Sequence, residues 1–589
     1  MSKHIVITGA GIISAIGNDK ASVLQSLKEG KTGIGAMRYL RSSHHELPVG
    51  EVKLSDEQMK AMLAIDASCD MSRTTLMGIL AVRQAIDEAR LVKDEGRRVV
   101  LVSGTTVGGM DKTEHYFHTF ADSDQHIDCL RTHDGGGCTK AVASHFDLFD
   151  RCTTVSTACS SAANALVVGA NLIKAGKADV VVAGGCEALT RFHLNGFRSL
   201  MILDHEPCRP FDATRQGLNL GEGAAYVVLE SEQSARNRHV EPQAFLTGYG
   251  NACDAFHLTA SSADGEGAFL AMKEALEMAQ LTPQDVDYVN AHGTGTPNND
   301  ASESAALKRL FGKQLPSISS TKGFTGHATS ASGSIETVIC LLAMRHGFIP
   351  QNLGWQRQAD DCIAPSLGMS DCRLNHVLCN SFGFGGNDTS LLFSLRPQDS
   401  TPDILSIPVS AIRHLARVEI THEDILAEVR AYVKPMELRR MGKMMKCALL
   451  SSMRALEQAG IKTPDAIITA TSLGCLENSE KLLFQLQEEG EVMLKQTLFM
   501  QSTHNTISSS IAIKTQCHGY NMTYTHGKES LEWALLDAEM LLRSGKAKTV
   551  LVGLHDESTP LYRSVQARLG NEDTILPIHS IAFVLTCGD

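Results

Sequence analysis

Short apolar runs alternate with longer amphipathic segments along most of the chain. Buried strands are predicted at 99–104, 180–185 and 224–229, where the residues are almost continuously apolar. Helices are predicted at 77–89, 162–175 and 268–279, where small and apolar residues recur over three or more turns. Such alternation predicts an α/β fold with a largely parallel or mixed sheet covered by helices.

The pattern of the first part of the chain returns near its end. Leu166 matches Leu535 and Gly176 matches Gly545, both 369 residues apart, and residues 85–89 match 455–459 at 370. Between the copies lies a polar stretch with two prolines, which predicts a linker. The 589 residues therefore hold an internal repeat of the first part of one fold.

One cysteine stands at a predicted junction of strand and helix. Cys159 lies in the sequence VSTACSS at 155–161, directly before the helix-like segment. Backbone N–H groups and the macrodipole at a helix start favour thiolate, so we expect the pKa of this thiol to be depressed. Its neighbours Ala158, Ser160 and Ser161 are small and allow a substrate to approach.

Three further motifs carry groups that suit acyl transfer. They are NAHGTGT at 290–296, TKGFTGHA at 321–328 and NSFGFGGND at 380–388. With Cys159 and the segments at 5–17, 208–212 and 217–225, they resemble the β-ketoacyl-acyl-carrier-protein synthases, which are condensing enzymes. The resemblance runs to about residue 394.

The resemblance implies a role for each group. Cys159 would accept the acyl chain as a thioester, and His292 and His327 would donate hydrogen bonds to the enolate oxygen of the extender. Lys322 would place a positive charge beside His327 and bias its protonation. Two histidines, rather than one histidine and a second cysteine, favour decarboxylative condensation over the thiolase reaction.

Other residues would shape the site in the same family. The backbone N–H groups of Cys159 and Phe384 would form the oxyanion hole, with Phe384 as a gate on a loop that includes Gly383 and Gly385. Thr294 and Thr296 would bind the pantetheine arm, and Val107 would line the acyl pocket. Many relatives have Gly-Gly-Thr-Asn where this chain has Gly-Gly-Asn-Asp at 385–388, so hydrogen bonding behind the gate is expected to differ.

The family fold predicts the domain organisation. It is thiolase-like, with five layers in the order α-β-α-β-α. Residues 1–250 would carry the nucleophile, 251–396 the two histidines, 397–404 the linker, and 405–589 a degenerate half-unit. At the 369-residue offset Cys159 falls on Lys528, whose amine would form a stable amide, so the repeat is predicted to lack a nucleophile. His526 and Lys528 are interpreted as a diverged turn, with a separate site as the alternative.

The function predicted from this resemblance is condensation of the acyl group on Cys159 with malonyl-acyl-carrier-protein, giving 3-oxoacyl-carrier-protein in fatty acid biosynthesis. The alternatives are a ketosynthase of a specialised polyketide or aryl polyene pathway and a non-catalytic partner resembling a chain-length factor. Phosphopantetheine would arrive on the carrier protein, with no tightly bound cofactor and no metal. A homodimer is expected, with a heterodimer of two ketosynthase-like chains as the alternative.

Basic residues suggest where an acidic carrier protein docks. Arg73 is the main cation of the first unit's helix, whereas Arg439, Lys443 and Lys446 are spaced by four and three and are predicted to share one helix face. A solvated amphipathic helix is the alternative interpretation.

Composition narrows the setting. The net charge of −12 argues against nucleic acid as a partner. No apolar run approaches the length of a membrane span, and the start of the chain does not resemble a signal peptide. The 16 cysteines form no C-x-x-C pair, so reduced thiols and a cytoplasmic location are expected.

Overall fold

A computed structural model describes residues 4–396, 407–422, 424–571 and 576–587. The predicted linker at 397–404 lies outside these residues.

Seventeen strands are described. They are β1 (Ile5–Ser14), β2 (Val99–Gly104), β3 (Arg151–Val155), β4 (Val180–Glu187), β5 (Gly223–Ser231), β6 (Ala244–Cys253), β7 (Tyr288–Asn290), β8 (Ser317–Ser319), β9 (Phe348–Ile349), β10 (Met369–Ser370), β11 (His376–Gly383), β12 (Asn387–Ser394), β13 (Ile412–Ile420), β14 (Ala466–Ala470), β15 (Tyr520–Tyr524), β16 (Thr549–Glu557) and β17 (Ile578–Cys587).

Twenty α-helices accompany them in the described residues. They are α1 (Lys20–Glu29), α2 (Asp56–Leu63), α3 (Arg73–Glu88), α4 (Met110–Tyr116), α5 (Gly135–Ser144), α6 (Ser161–Lys174), α7 (Arg191–Ser199), α8 (Glu232–Asn237), α9 (Glu266–Ala279), α10 (Pro297–Phe311), α11 (Lys322–Thr325), α12 (Ser332–His346), α13 (Leu426–Val429), α14 (Pro435–Leu438), α15 (Lys443–Ala459), α16 (Leu476–Glu488), α17 (Gln496–Met500), α18 (Thr506–Thr515), α19 (Ser530–Arg543) and α20 (Pro560–Arg568).

The predicted five-layer fold is confirmed in the first unit. Helices α6 and α12 lie between one arm of the sheet, built by β2, β4 and β5, and a second arm built by β11 and β12. Helix α3 covers the outer face of the first arm, and α9 covers that of the second. All fourteen residues of α6 are buried, because sheet or helix packs on every side of it, and its Ala and Gly residues allow that close packing.

The repeat is arranged around a pseudo-two-fold axis. Fifteen strands form one sheet in the order β13-β17-β16-β14-β15-β3-β2-β4-β5-β1-β6-β12-β11-β7-β8. The first five strands mirror the next five, so each strand of the second unit has its counterpart across the junction of β15 and β3. The second unit is therefore the predicted half-fold.

The two units join through equivalent residues. Val155 pairs with Tyr524 in antiparallel fashion, and these residues are the two copies of one position in the repeat. The backbone N–H of Ser156 donates to the Thr523 carbonyl over 2.9 Å, and the N–H of Thr525 donates to the Thr154 carbonyl over 3.0 Å. Pairing between identical positions is the geometry of a symmetric dimer interface, here closed within one chain.

The predicted basic helix face is wrong in its geometry. Helix α14 ends at Leu438 and α15 begins at Lys443, so Arg439 lies in the turn between them and outside the helix that holds Lys443 and Lys446. Gly442 caps α15 with an extended backbone and donates its N–H to the Gln501 side chain, which fixes the break. Arg439 and Lys443 are nevertheless exposed and Lys446 is half-buried.

Arg73 is also not the exposed cation that the sequence suggested. Its guanidinium is 9% exposed and forms ion pairs with Glu222 at 2.7 Å and with Asp56 at 2.9 Å. It additionally donates to the Val52 and Leu54 carbonyls. With its donors satisfied inside the first unit, Arg73 is structural.

No helix among the described residues is long and apolar enough to cross a membrane. The cysteines are all free thiols, and only Cys69 is fully exposed.

Candidate active site

The nucleophile turn is held by its own hydroxyl groups. After β3 the chain makes a short 3₁₀ turn at Ala158–Ser160 and enters α6 at Ser161. The Ser161 hydroxyl accepts from the Thr157 N–H over 2.9 Å and donates to the Ala158 carbonyl over 2.6 Å. Ala158 has a φ of 54°, a left-handed conformation that costs an alanine about 1–2 kcal/mol. This strained turn places Cys159 at the start of α6.

The thiol of Cys159 is 5% exposed. Burial raises its pKa to about 11, opposed by the Phe384 N–H, by the positive charge of Lys322 and by the Cys159 N–H. The expected depression of this pKa is therefore wrong, because desolvation of the thiolate outweighs the donors at the helix start. The thiol is protonated at neutral pH until it reacts.

Both predicted histidines lie beside the sulfur. The Sγ atom of Cys159 and one ring nitrogen from each of His292 and His327 lie within 4.8 Å of one another. The two rings meet edge to face, with centroids 5.3 Å apart. Burial lowers the pKa of each histidine well below its usual value, and the charge of Lys322 lowers both further. Both imidazoles are therefore neutral at pH 7.

Second contacts fix the orientation of each ring. The Nζ atom of Lys322 lies 3.4 Å from Nδ1 of His292, whereas Nδ1 of His327 lies 2.9 Å from the Ser332 hydroxyl. The direct neighbour of Lys322 is thus His292, not His327 as expected. Because an ammonium only donates, Nδ1 of His292 accepts and the ring proton resides on Nε2.

Two buried carboxylates complete this arrangement. Lys322 is paired with Glu336 at 2.5 Å, and both side chains are at most 2% exposed. Glu303 accepts the backbone N–H groups of His292 and Gly293 over 2.9 and 2.8 Å. Neither glutamate could be predicted from the sequence, because an isolated glutamate on α10 or α12 gives no signal of its own.

Phe384, the predicted gate, lines the same cavities as Cys159. Its ring stacks on Phe197 with centroids 5.6 Å apart, and its backbone N–H points at the sulfur of Cys159. The loop bends at Gly385 and Gly386, whose φ angles of 85° and 73° favour glycine. Gly383 packs against the Thr157 carbonyl and the Cys159 nitrogen, with no room for a Cβ.

Cys159 lies between two cavities that share Phe197 and Phe384 in their walls. An outer cavity of about 250 Å³ is lined by His292, His327, Thr294 and Thr296. The hydroxyls of Thr294 and Thr296 are 2.9 Å apart. Both threonines line the same cavity as the two histidines, and their contact with a pantetheine arm stays a prediction.

The inner cavity is built by both units. It has a volume of about 60 Å³, and Val107, Met110 and His133 contribute from the first unit. The second unit contributes Leu473, Leu476, Ser479, Phe499, Ser502, Thr503 and His504. The sequence did not predict this contribution, because these residues lie more than 300 positions from Cys159 and come near it only through the pairing of β15 with β3.

Cys159, His292 and His327 could also ligate a soft metal ion, since thiolate and neutral imidazole are zinc ligands. The Lys322 ammonium next to His292 adds positive charge at this point and disfavours a divalent cation.

Family comparisons agree with this geometry. Residues 2–235 match the β-ketoacyl synthase N-terminal domain, 243–356 match the C-terminal domain, and 415–589 match an N-terminal domain again. The chain belongs to the β-ketoacyl synthase family. Its second unit is a further copy of the family's N-terminal domain.

Curated relatives match about two thirds of this chain. It is 34% identical to nodulation protein E of Rhizobium meliloti (strain 1021), over 67% of the chain and 99% of the relative. It is also 34% identical to 3-oxoacyl-[acyl-carrier-protein] synthase 2 of Synechocystis sp., over 66% of the chain and 98% of the relative. The ketosynthase activity and the use of a carrier protein are thus family properties.

Solved structures resemble either the first unit or the whole chain. A structure titled the ishigamide ketosynthase/chain length factor is 30% identical, with a TM-score of 0.63, over 67% of this chain and all of that chain. The PfaC keto synthase-chain length factor has a TM-score of 0.79 over 99% of this chain and 78% of that chain, at 15% identity. The second comparison shows that the fold of nearly the whole chain, with both units, matches that of a solved structure.

Proposed function

We propose that the protein condenses an acyl group held on Cys159 with malonyl-acyl-carrier-protein, releasing carbon dioxide and 3-oxoacyl-carrier-protein. The observation that supports this best is the cluster of one thiol and two neutral imidazoles within 4.8 Å, between an outer and an inner cavity. The chemistry divides between these groups in three steps.

In the first step the Cys159 sulfur attacks the thioester carbonyl of the incoming acyl chain. The carbonyl oxygen becomes negative, and the N–H groups of Cys159 and Phe384, which both reach the sulfur, stabilise it. The bond to the carrier thiol breaks, and that thiol leaves with the proton of Cys159. The acyl chain then occupies the inner cavity.

In the second step the malonyl thioester enters the outer cavity and its carbon–carboxylate bond breaks. Carbon dioxide leaves, and the electron pair forms an enolate whose oxygen accepts hydrogen bonds from His292 and His327. Neutral imidazoles can donate hydrogen bonds to the enolate oxygen. Unlike an imidazolium ion, they do not readily transfer a proton to the carbanion. Lys322 and Glu336 hold the His292 ring in the tautomer that donates from Nε2.

In the third step the enolate carbon attacks the acyl carbonyl on Cys159. The same two N–H groups stabilise the tetrahedral oxyanion, and its collapse releases the thiolate. One carbon–carbon bond forms as the carbon–sulfur bond to Cys159 breaks. The Cys159 thiolate then regains a proton from solvent.

Intact-protein mass after incubation with saturated acyl-carrier thioesters of increasing length tests the assignment. We expect one acyl adduct, absent from Cys159→Ala, followed by its loss and a 3-oxoacyl product when malonyl-carrier protein is added. Loading at a residue other than Cys159, or an adduct that malonyl-carrier protein does not discharge, would contradict it.

For the pathway we propose fatty acid elongation, with a specialised polyketide or aryl polyene pathway as second candidate. The inner cavity favours the second candidate through its polar lining by His133, His504 and Ser479. Burial lowers the pKa of both histidines to about 4, so both are neutral hydrogen-bonding groups. Competition between saturated and oxygenated or polyene thioesters of equal length decides: faster loading of the saturated chain supports elongation of fatty acids.

We also propose that the second unit acts as a chain-length factor within the same chain. It lines the inner cavity with Leu476 and Phe499, and its β15 occupies the edge of β3 where a second copy of the first unit would pair. The expected homodimer stays a prediction, and any such dimer would need another surface. Leu476→Ala should admit longer acyl chains, whereas Leu498→Ala, on a leucine that does not line the cavity, should leave the length profile unchanged.

A further inference from the structure

The gate loop is attached to the second unit at its apex. The side-chain amide of Asn505, the residue before α18, donates to the Phe384 carbonyl over 2.9 Å. Asn505 is 1% exposed. The carbonyl that Asn505 contacts and the N–H that points at the sulfur of Cys159 thus belong to the same residue, Phe384.

The other end of the loop is attached as well. The amide of Asn387 donates to the Asn521 carbonyl over 2.6 Å, and its oxygen accepts from the Ser160 hydroxyl over 2.7 Å and from Asn164 over 2.8 Å. The Asn387 amide thus joins the second unit to the helix that begins beside the nucleophile.

Close packing leaves the loop little freedom. A Cβ on Gly385 would lie 2.1 Å from the Ser509 hydroxyl and 3.0 Å from the Asn505 amide. Below the gate, Phe499 of the second unit packs against Phe197 with centroids 5.6 Å apart, and Phe197 stacks on Phe384. The second unit therefore contacts the loop backbone directly and reaches the Phe384 ring through Phe197.

We propose that Asn505 is a positioning residue for the reacting thiol, acting through the gate loop that the second unit holds. The inference rests on the proposed function for its role in acyl transfer, though not for its effect on the thiol. Only φ and ψ of Phe384 lie between its N–H and its carbonyl, so a carbonyl held by Asn505 restricts the directions that the N–H can take. The second unit thereby sets the donor that both stabilises the thiolate and forms the oxyanion hole.

The test is the Asn505→Leu variant, which keeps the side-chain size and removes the donor. We expect acyl loading of Cys159 to slow by about 10-fold, because one oxyanion donor is misplaced and not removed. We also expect the pH dependence of Cys159 alkylation by iodoacetamide to move to higher pH, since a hydrogen bond to the thiolate is weakened. All variants carry Cys69→Ser, which removes the exposed competing thiol.

Asn478→Leu is the matched control. Asn478 is a second buried asparagine of the same unit, 4% exposed, and it packs near Gly442 and not against the gate. It should leave both readouts unchanged. If Asn505→Leu does not fold, Asn505→Asp keeps the shape and turns a carboxylate oxygen toward the Phe384 carbonyl, so the same two changes are expected.

The outcomes separate the two proposals. Wild-type loading and an unmoved alkylation profile in the folded Asn505 variants would overturn the positioning role while leaving the condensing activity standing. A shifted alkylation profile in a protein that accepts no acyl thioester would support the positioning role and overturn the proposed function. Equal changes in Asn478→Leu would reduce Asn505 to a packing residue.

Discussion

The turn after β3 and the turn after β15 have the same backbone and different chemistry. Both turns run from a strand through three residues of 3₁₀ helix into a long helix, 369 residues apart. Ala158 has a φ of 54° and its counterpart Gly527 has a φ of 58°. The Ser530 hydroxyl accepts from the His526 N–H and donates to the Gly527 carbonyl, as Ser161 does in the first turn.

What differs is the surroundings of the central residue. Cys159 is buried against His292, His327 and Phe384, whereas Lys528 is exposed. In the sheet, the first unit continues from β1 into β6, β12 and β11, which lead to the histidines and the gate, whereas the second unit ends at the edge strand β13 among the described residues. The turn thus presents a residue in both units, and in the first unit the second half of the fold supplies the groups that surround it.

The largest effect is expected when the central residues of the two turns are exchanged. Cys159→Ala should abolish condensation, by at least about 10³-fold, because no acyl-enzyme can form. Lys528→Cys should not restore it in that background, since the new thiol lacks histidines and gate. Product formation from malonyl-carrier protein measures both, and turnover by the double variant would show that the turn alone suffices.

Removal of one histidine near each turn should give opposite results. His292→Ala should slow malonyl decarboxylation by about 10²–10³-fold while acyl loading of Cys159 is retained, because only the enolate uses this donor. His526→Ala should leave turnover unchanged and cost about 1 kcal/mol of stability, through its 3.0 Å contact with the Thr154 hydroxyl. Carbon dioxide release and thermal unfolding give the two readouts. Normal decarboxylation by His292→Ala would remove its assigned role.

The pH dependence of Cys159 alkylation tests how strongly burial controls the pKa of the thiol. With a pKa of about 11, the thiolate fraction increases about tenfold per pH unit from pH 7 to 10. Alkylation in the Cys69→Ser background should follow that increase without a plateau. A plateau near neutral pH would show that the helix start dominates over desolvation after all.

The smallest effects are expected on the surface. Arg439, Lys443 and Lys446 reversed together to Glu should raise KM for carrier-bound substrate several-fold, more strongly at low salt because exposed charges are screened over about 10 Å at 0.1 M. Loading of Cys159 from small thioesters serves as the control and should not change. An unchanged KM would leave this region without a docking role.

Arg73 and Lys443 are the first residues of equivalent helices, α3 and α15, 370 residues apart. They give a second comparison of equivalent positions in the two units. Arg73→Ala should destabilise the protein by about 3–5 kcal/mol, because it leaves Glu222 buried without its cation. Lys443→Ala should be nearly neutral in the same unfolding measurement, since Lys443 is exposed.

Local patterns predicted most of what the structure shows near Cys159. The strand runs became β2, β4 and β5, the helical segments became α3, α6 and α9, and the repeat gave the second unit its register. Cys159, His292 and His327 meet as the motifs indicated. The helix boundary at Gly442 was missed, since charges spaced by four and three suggest one helix and a glycine N-cap gives only a weak signal against it.

The family, the cluster of Cys159 with two histidines and the existence of a second, altered copy could all be predicted from the sequence, because each depends on short motifs or on a fixed offset. The protonation state of the Cys159 thiol, the partner of Lys322 and the walls of the inner cavity are known only from the folded molecule. These depend on desolvation and on contacts across the pairing of β15 with β3. Burial and the approach of distant residues are properties of the packed molecule. The residues next to Cys159 and Phe384 in the sequence therefore predict neither the pKa of Cys159 nor the contact of Asn505 with the Phe384 carbonyl.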